Sequence, residues 1–435
     1  MIHKVKEKFP RLLFLSFFFF FLLKALLLSG AWAFSLVSIS EKDEIELGKI
    51  HTNVGIDEYK GRFPEPEVQA YLERLGKRVA EQSPRRVPYT FFLVNSGIEN
   101  AFALPGGPVF ITRGLFLMLD AESELIGVLG HEIGHITARH HIKFVEKNIT
   151  ISLLLRIGSL FLPQNLTGEV LWQLAQISAG LLSLKFSRDQ EREADAYGFE
   201  FSLKAGYSPE GMYEVFKKFK EREKKRPPEW LSTHPLPESR IKEWQQSMEK
   251  YKPTGALIKD REEFQRIKKI ILETTESFRI SEEGEKLLQK GNFEQAKEKF
   301  TKALEIYSKN IPALLGLSRV YLNQKRFEES RRYAKSAKEL DPSLSSAYIL
   351  EGLAEFNLKN YDRALTNFEK AKDLIPFNGY AYYLSGRSYE ELGKRKEALE
   401  NYKRALELGP SNAFWYQDCR TRYQRLKYSF QYVIP

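Results

Sequence analysis

Cysteine is almost missing from this sequence. The 435 residues include a single cysteine, Cys419, so an intramolecular disulfide cannot form. None lies near the N-terminus, where a lipid could be attached. A chain that is exported with so few thiols fits the bacterial periplasm, where a free thiol is exposed to oxidation. We interpret Cys419 as a small buried residue.

A strong charge imbalance is also missing once the N-terminus is set aside. Residues 1–33 combine early basic residues, a long apolar run and the sequence Ala31-Trp32-Ala33, which is the layout of a cleaved secretory signal peptide. They carry five Lys/Arg and one Glu, so their removal lowers the net charge to 10 − (5 − 1) = +6. We expect a periplasmic protein without a nucleic-acid partner. The alternative is an uncleaved membrane anchor, although Lys24 interrupts the apolar run.

Apolar runs long enough to span a membrane are missing from the interior of the chain. Residues 149–162 and 170–184 are apolar, but each run is shorter than the roughly 20 residues of a transmembrane helix. Arg156 and Gln173 also interrupt them. We interpret the two runs as core or lid helices that could touch a membrane peripherally.

Residues 40–270 carry a mixed pattern of helices and strands. EVQAYLERLGKRVAEQ has apolar residues at helical spacing, whereas YTFFLVNS and PVFIT are rich in the aromatic and β-branched residues of strands. The sequence PGG before the second strand predicts a turn. We expect an α+β domain that is mostly helical with a small sheet.

Residues 277–428 instead repeat themselves every 34 residues. Small residues and prolines at fixed places of a 34-residue period are typical of tetratricopeptide repeats, an all-α solenoid of stacked helix pairs. We expect four repeats, 277–310, 311–344, 345–378 and 379–412, followed by a capping helix. The recurring residues include Ala303, Ala337, Ala371 and Ala405, and Pro342, Pro376 and Pro410.

Four of the seven histidines lie in GVLGHEIGHITARHH, residues 127–141. His131 and His135 are four residues apart, so a helix would place them on one face, where both can bind one zinc ion. Glu132 lies beside them and could take a proton from a zinc-activated water. The motif predicts a zinc-dependent hydrolase. We interpret His140 and His141, which lie off this face, as structural.

A catalytic zinc ion needs a third protein ligand, and SRDQEREADAYG, residues 187–198, offers several carboxylates. Glu191 is the first choice, with Glu193 or Asp189 as competing ligands. Asp195, one helical turn after Glu191, could accept the outer N–H of a ligating histidine. His51 has no partner motif, and we interpret it as structural.

Three of these segments, with LSTHPLPESRI at residues 231–241 and ENAFALPGGPVFITRGLF at 99–116, resemble the peptidase family 48 metallopeptidases. The resemblance implies a gluzincin fold, in which a zinc helix and a second ligand helix lie beside a small sheet. It implies that Glu191 is the third ligand and that Asn100 lies beside the scissile carbonyl. It also places His234 near the metal, either as an oxyanion stabiliser or as a fourth ligand that blocks the resting site.

The segment Gly106–Thr112 is a candidate edge strand for substrate binding. An extended peptide could add to such a strand through main-chain hydrogen bonds, with little sequence selectivity. Pro108 fits an edge position, since proline cannot donate to an interior ladder. The predicted substrate-binding residues are Gly106, Gly107, Val109, Phe110 and Ile111.

The order of an export signal, this domain and the repeats is similar to family members that survey outer-membrane protein assembly. It implies an endopeptidase with one zinc ion per chain that cleaves unfolded or misassembled envelope proteins. The repeats would recruit a client or the outer-membrane assembly machinery. The alternative is a chaperone or adaptor with a latent zinc site. Prenyl-protein processing is disfavoured, because in the family it goes with several membrane spans.

Overall fold

The structure is a computed structural model that describes residues 38–147, 180–181, 184–225, 227–251 and 255–428. The signal sequence 1–33, the apolar run 149–162 and most of the run 170–184 lie outside the described residues. Within the described part, none of the helices has the length and hydropathy needed to cross a membrane.

The first half of the chain is helical around a small sheet, as the sequence predicted. It begins with α1 (Glu41–Glu58), α2 (Pro66–Ala80), β1 (Thr90–Val94), β2 (Ala101–Ala103), β3 (Pro108–Thr112), α3 (Arg113–Met118) and α4 (Glu122–Thr137). It continues with α5 (Arg188–Lys204), α6 (Glu210–Glu223), α7 (Trp230–Thr233), α8 (Glu238–Lys250) and α9 (Glu262–Glu273).

The sheet has the order β1-β3-β2, with β3 parallel to β1 and antiparallel to β2. The prediction that Gly106–Thr112 is an edge strand is therefore wrong. All five residues of β3 are buried and it is paired on both sides, so no substrate can add to it. The predicted substrate-binding residues lie in this interior strand or in the turn before it; they are Gly106, Gly107, Val109, Phe110 and Ile111.

The glycines before β3 have a structural role instead. Gly106 has a φ of 73°, and a Cβ added to it would lie 2.5 Å from Cα of Ile45 in α1. Glycine is the residue that adopts this backbone and allows this approach without strain. Pro108 is the first residue of β3, a second place in a strand that tolerates proline.

Helix α4 carries the HEIGH motif and is buried along its whole length. Its glycines bring other helices into backbone contact. A Cβ at Gly130 would lie 3.0 Å from the carbonyl oxygen of Gly198, and one at Gly134 would lie 2.8 Å from that of Ala194. Both partners belong to α5. The close approach of α4 and α5 is what brings the two sequence motifs together.

The described second half, residues 275–428, is all helical, with four helix pairs followed by a final helix. These helices are α10 (Thr275–Gln289), α11 (Phe293–Ile306), α12 (Ile311–Asn323), α13 (Phe327–Leu340), α14 (Ser345–Asn357), α15 (Tyr361–Leu374), α16 (Gly379–Glu391), α17 (Arg395–Leu408) and α18 (Tyr416–Tyr428). The predicted fold class, an α+β domain followed by an all-α solenoid, is confirmed. Cys419 is buried in α18, as expected.

Each repeat packs a small residue of its first helix against a residue 16 positions later in its second helix. Three repeats place a glycine under an aromatic ring, and a Cβ on the glycine would lie within 2.8 Å of that ring. These pairs are Gly284 with Phe300, Gly352 with Phe368, and Gly386 with Tyr402. The second repeat has Ser318 and Ala334 at the same two positions, so a larger first residue is combined with a smaller second one.

The repeats contact the first half directly. Phe278 of α10 belongs to the same buried cluster as Phe63. Arg62 donates to the buried carboxylate of Asp341 with Nε at 3.0 Å and Nη2 at 2.7 Å. A single residue, Thr274, separates α9 from α10. The solenoid therefore continues from the first half without a linker.

Helix α1 touches both halves. Near its C-terminal end, Asn53 donates to the carbonyl of Leu374 at 3.0 Å, and Asp57 accepts from the backbone N–H of Ser346 at 2.9 Å. Near its N-terminal end lies the buried carboxylate of Glu44, which bonds to Arg85, Arg139 and the backbone of Gly106. It accepts from Nε of Arg139 at 2.8 Å and from the N–H of Gly106 at 3.2 Å.

Candidate metal centre

Three elements bring four potential metal ligands into one buried cluster. His131 and His135 project from α4, Glu191 from the first turn of α5, and His234 follows α7 directly. One donor atom from each lies within 4.8 Å of the others, and all four side chains are buried. We call these four residues the ligand cluster.

The distances between the donor atoms match those around a tetrahedral ion. Ligand bonds of about 2.0–2.1 Å at tetrahedral angles place donors about 3.3 Å apart. His131 Nε2 lies 3.1 Å from His135 Nε2 and 3.3 Å from His234 Nδ1. Glu191 Oε1 lies 3.5 Å from His135 Nε2 and 3.0 Å from His234 Nδ1. Two histidines and a glutamate are a ligand set of catalytic zinc, so the donors fit this ion.

The ionisation of His135 and Glu191 also suits a metal cation. Burial lowers the pKa of His135 well below its usual value, which leaves a neutral imidazole. Burial alone would raise the pKa of Glu191, but the neighbouring His234, His135 and Arg240 hold it well below the usual value. A neutral imidazole and a carboxylate are the forms that bind metals. Burial alone would lower the pKa of His234, yet Glu191 and Glu132 raise it, because a cation between two carboxylates is favoured.

Glu132 lies beside the cluster with one oxygen held and the other without a partner. Its Oε1 accepts from the indole N–H of Trp230 at 3.1 Å and lies 3.7 Å from His234 Nε2. Its Oε2 is buried and has no hydrogen-bond partner among the described residues. A buried carboxylate oxygen left in this way is available to a water or a substrate group.

A buried ion pair supports the cluster from behind. Asp195 Oδ1 lies 2.9 Å from His131 Nδ1, the contact that its spacing from Glu191 suggested. Arg240 donates to both oxygens of Asp195, at 2.7 and 2.8 Å, and also pairs with Glu191. Burial alone would raise the pKa of Asp195, but Arg240 and His131 lower it, so the carboxylate stays charged. The contacts of Arg240 with Asp195 and Glu191 were not predicted, because no sequence spacing links Arg240 to the motifs.

His140 contacts a member of the ligand cluster directly. We interpreted it as structural, and its Nδ1 lies 2.9 Å from Nδ1 of His135 and its Nε2 lies 3.1 Å from Glu193 Oε2. The intervening Arg139 has a left-handed backbone with a φ of 55°, which turns the chain back toward the cluster. Glu193, our competing ligand, thus faces His140 and lies outside the cluster. The other competitor, Asp189, is exposed and pairs with Arg192.

Of the other histidines in the described part of the chain, His141 and His51 are packed in the interior. His141 contacts Phe186, and burial and the nearby His140 and His234 lower its pKa to about 3. His51 stacks on Phe377 of the repeats with ring centroids 5.4 Å apart. Neither is in the ligand cluster.

Two aromatic residues pack against the ligand cluster, and Asn100 follows Glu99, whose carbonyl oxygen accepts from the backbone N–H of Trp230. The side-chain amide of Asn100 donates to the hydroxyl of Tyr59 at 2.9 Å, and its Oδ1 is buried without a hydrogen-bond partner in the described part of the chain. Phe186 stacks on His135 at 3.9 Å and Trp230 stacks on His234 at 4.5 Å. Single aromatic residues carry no motif, so the sequence offered no signal for either.

Several stretches of the chain match models of known protein families. Residues 64–247 match the model of Peptidase family M48, and residues 287–351, 345–378 and 379–412 match tetratricopeptide repeat models. Residues 64–247 therefore belong to the M48 metallopeptidase family, and tetratricopeptide repeats follow them.

Several known proteins are similar to part of this chain. The chain is 34% identical over 204 residues to the Beta-barrel assembly-enhancing protease of Yersinia pestis, covering 43% of this chain and 40% of that protein. The protein of the same name from Escherichia coli (strain K12) is 33% identical over 230 residues, covering 49% and 45%. Metalloprotease YcaL of Escherichia coli (strain K12) is 26% identical over 214 residues, covering 48% and 80%. The chain thus spans less than half of the length of the first two relatives.

Proposed function

We propose that this protein is a zinc-dependent endopeptidase that cleaves unfolded or misassembled proteins of the bacterial envelope. The observation that carries the proposal is the ligand cluster with the free oxygen of Glu132 beside it. The names of the two beta-barrel assembly-enhancing relatives support the choice of envelope proteins as clients.

His131, His135 and Glu191 would hold the zinc ion, and zinc in such a site activates a water and polarises a carbonyl. Glu132 would accept the proton of the attacking water at Oε2 and return it to the leaving amine. Trp230 fixes the carboxylate for both transfers through its bond to Oε1. Asp195, held by Arg240, would keep the hydrogen of His131 on Nδ1 and leave Nε2 free for the metal. Asn100 is retained as a candidate group beside the scissile carbonyl.

Strand β2 replaces β3 as the proposed substrate strand, because it is an edge of the sheet. Leu104 N bonds to Pro108 O, and Thr112 N bonds to Asn100 O. The backbone N–H and C=O groups of the alternate residues Ala101 and Ala103 therefore point away from β3. An extended peptide could pair with them. Both residues are buried in this structure, so a peptide would need the covering residues to move.

His234 would act as a latch on the resting site. Its Nδ1 lies 3.3 Å from His131 Nε2 and 3.0 Å from Glu191 Oε1, so it could act as a fourth ligand instead of the water that a catalytic zinc needs. We therefore prefer the fourth-ligand role to the oxyanion role.

Replacing the latch tests this preference. His234→Ala should retain zinc through the other three ligands and cleave a disordered peptide faster than the wild type does. The rate is measured beside Glu132→Gln/His234→Ala, which shows that cleavage comes from this site. A fall of about 10²-fold with zinc still bound would contradict the latch and favour the oxyanion role.

The peptidase activity itself is tested with an unfolded outer-membrane protein as substrate. The wild type should cleave it, a chelator should stop cleavage, and added zinc should restore it, whereas Glu132→Gln should be inactive throughout. Cleavage that ignores the chelator would refute a metallopeptidase.

A chaperone or adaptor with a latent site is the second candidate, favoured by the burial of the cluster and by the position of His234. Glu132→Gln should then still suppress aggregation of the same substrate. The repeats would recruit a client or a partner from the outer-membrane assembly machinery. We further propose export to the periplasm by residues 1–33, with peripheral membrane contact. Capture by the full-length Glu132→Gln protein from envelope extracts would identify the partner.

A further inference from the structure

The two histidines of the HEIGH motif have different partners on their outer nitrogens. A metal-binding imidazole usually donates its other N–H to a carboxylate, a carbonyl or a water. His131 follows this pattern, since its Nδ1 lies 2.9 Å from Asp195. His135 instead faces a second imidazole, because its Nδ1 lies 2.9 Å from Nδ1 of His140.

The hydrogen positions in this pair follow from the geometry. Nε2 of His135 faces the ligand cluster and keeps its lone pair there, so Nδ1 carries the hydrogen. Two nitrogens that face each other share one hydrogen, and Nδ1 of His140 must be the acceptor. Neutral His140 then carries its own hydrogen on Nε2. That nitrogen lies 3.1 Å from the carboxylate of Glu193, which accepts it.

We propose that His140 and Glu193 are positioning residues for the metal ligand His135. The two successive hydrogen bonds, from His135 to His140 and from His140 to Glu193, fix the tautomer and the ring orientation of His135. We call this pair of bonds the His140 relay. The proposal rests on the zinc site of the proposed function, but not on peptide cleavage.

The surroundings hold the His140 relay in place. The left-handed turn at Arg139 presents His140 to His135, and the Arg139 side chain is fixed by its bond to the buried Glu44. Phe186 covers the face of the His135 ring at 3.9 Å, which restricts its rotation. The histidine is thus held at its face and at its outer nitrogen.

Zinc affinity tests the His140 relay without any measurement of activity. It is determined by competition with a coloured chelator. His140→Ala should bind zinc about 10–100-fold more weakly, which is the usual cost of losing such an outer partner. His140→Asn offers an amide oxygen as acceptor and should restore most of the affinity. His141→Ala is the matched control, because it removes an adjacent buried histidine whose ring contacts Phe186 and lies 6.2 Å from the His135 ring, but leaves the bond at His135 Nδ1 in place.

The outer end of the relay provides an arm that does not disturb the core. The side chains of Glu193 and Glu200 are 47% and 50% exposed, and both lie on α5. Glu193→Lys removes the acceptor for His140 and should weaken zinc binding, whereas Glu200→Lys should not. Glu193→Gln keeps an acceptor oxygen and should remain close to the wild type. This arm decides the question even if His140→Ala does not fold.

Equal zinc affinities for His140→Ala and His141→Ala would overturn the proposal. So would equal affinities for Glu193→Lys and Glu200→Lys, or a failure of His140→Asn to restore binding. The outcome is separable from the proposed function. A wild-type protein that binds zinc but cleaves nothing would refute the peptidase, while the affinities of the variants would still decide the His140 relay.

Discussion

The ligand cluster and the repeats differ in how far apart along the chain their contacting residues lie. His131 meets His234 across 103 residues, and Asp195 meets Arg240 across 45. In the repeats, Ser318 bonds Ser330 across 12 residues. The cluster therefore forms only when the whole first half has folded, whereas each repeat can form from its own sequence and that of its neighbour.

The two regions also treat charge differently. The cluster buries Glu191, Asp195 and Arg240, and each of these charges is compensated by another. The repeats bury mainly small residues and keep many ion pairs at the surface, such as Arg279 with Glu276, with the buried Asp341 that pairs with Arg62 as an exception. Surface pairs of this kind contribute little to stability, but removing one member of a buried pair is strongly destabilising. We therefore expect single substitutions in the first half to act on metal binding and catalysis, and those in the second half to act on packing.

The largest effect is expected for Glu191→Ala, which breaks the cluster. It removes the third ligand and leaves Arg240 and His234 without their shared carboxylate, so zinc and cleavage should both be lost. Metal content of the purified protein and casein cleavage check this. Glu200→Ala, an exposed change on the same helix, should alter neither. Unchanged zinc in Glu191→Ala would show that another residue is the third ligand.

Glu132→Gln should separate the chemistry from the cluster. Glutamine keeps the acceptor for Trp230 but cannot take a proton from water, so kcat should fall by about 10²–10⁴-fold while zinc stays bound. Metal content and steady-state cleavage are measured on the same sample. Cleavage at the wild-type rate would mean that Glu132 is not the general base.

Gly352→Ala tests the packing rule of the repeats. The new methyl group would lie 2.5 Å from the ring of Phe368, so the free energy of unfolding should fall by about 1–3 kcal/mol. Gly255→Ala is the control, because its Cβ would meet nothing within 4 Å. Urea unfolding of the full chain gives both values.

The cost should be smaller in a Phe368→Ala background, where the ring is absent, as Ser318 and Ala334 already combine in the second repeat. An unchanged cost in that background would mean that the clash is not with Phe368.

The smallest effect is expected when the repeats are separated from the first half. A fragment of residues 277–428 should remain helical and melt cooperatively, because its repeats bury their faces against each other. It loses the contacts of Phe278 with Phe63 and of Asp341 with Arg62, so it should melt at a lower temperature than a fragment that begins at residue 40. Circular dichroism follows both transitions. Absence of a cooperative transition would contradict an independent repeat domain.

The same comparison explains what could be predicted. The 34-residue period revealed every helix pair of the repeats, since their contacts are local. His131 and His135 could be paired because residues four apart share a helix face, whereas Glu191 was selected from several carboxylates through the family resemblance. The central position of β3 was missed, because pairing with both β1 and β2 is a non-local property that a proline at the strand start does not report. The contact between His140 and His135 was not predicted, because the left-handed backbone of Arg139 breaks the helical spacing.

Helix α1 has a consequence for any partner of the repeats. Its Asn53 and Asp57 are bonded to the repeats, and its Glu44 is bonded to the turn after β2 and to Arg139. A molecule that binds the repeats and shifts α1 would change the affinity of the proposed active site for a peptide substrate by some factor. Thermodynamic linkage then requires a peptide in the cleft to change that molecule's affinity by the same factor. Affinities measured on isolated repeats would not contain this coupling between the two binding events, whereas affinities measured on the whole chain would.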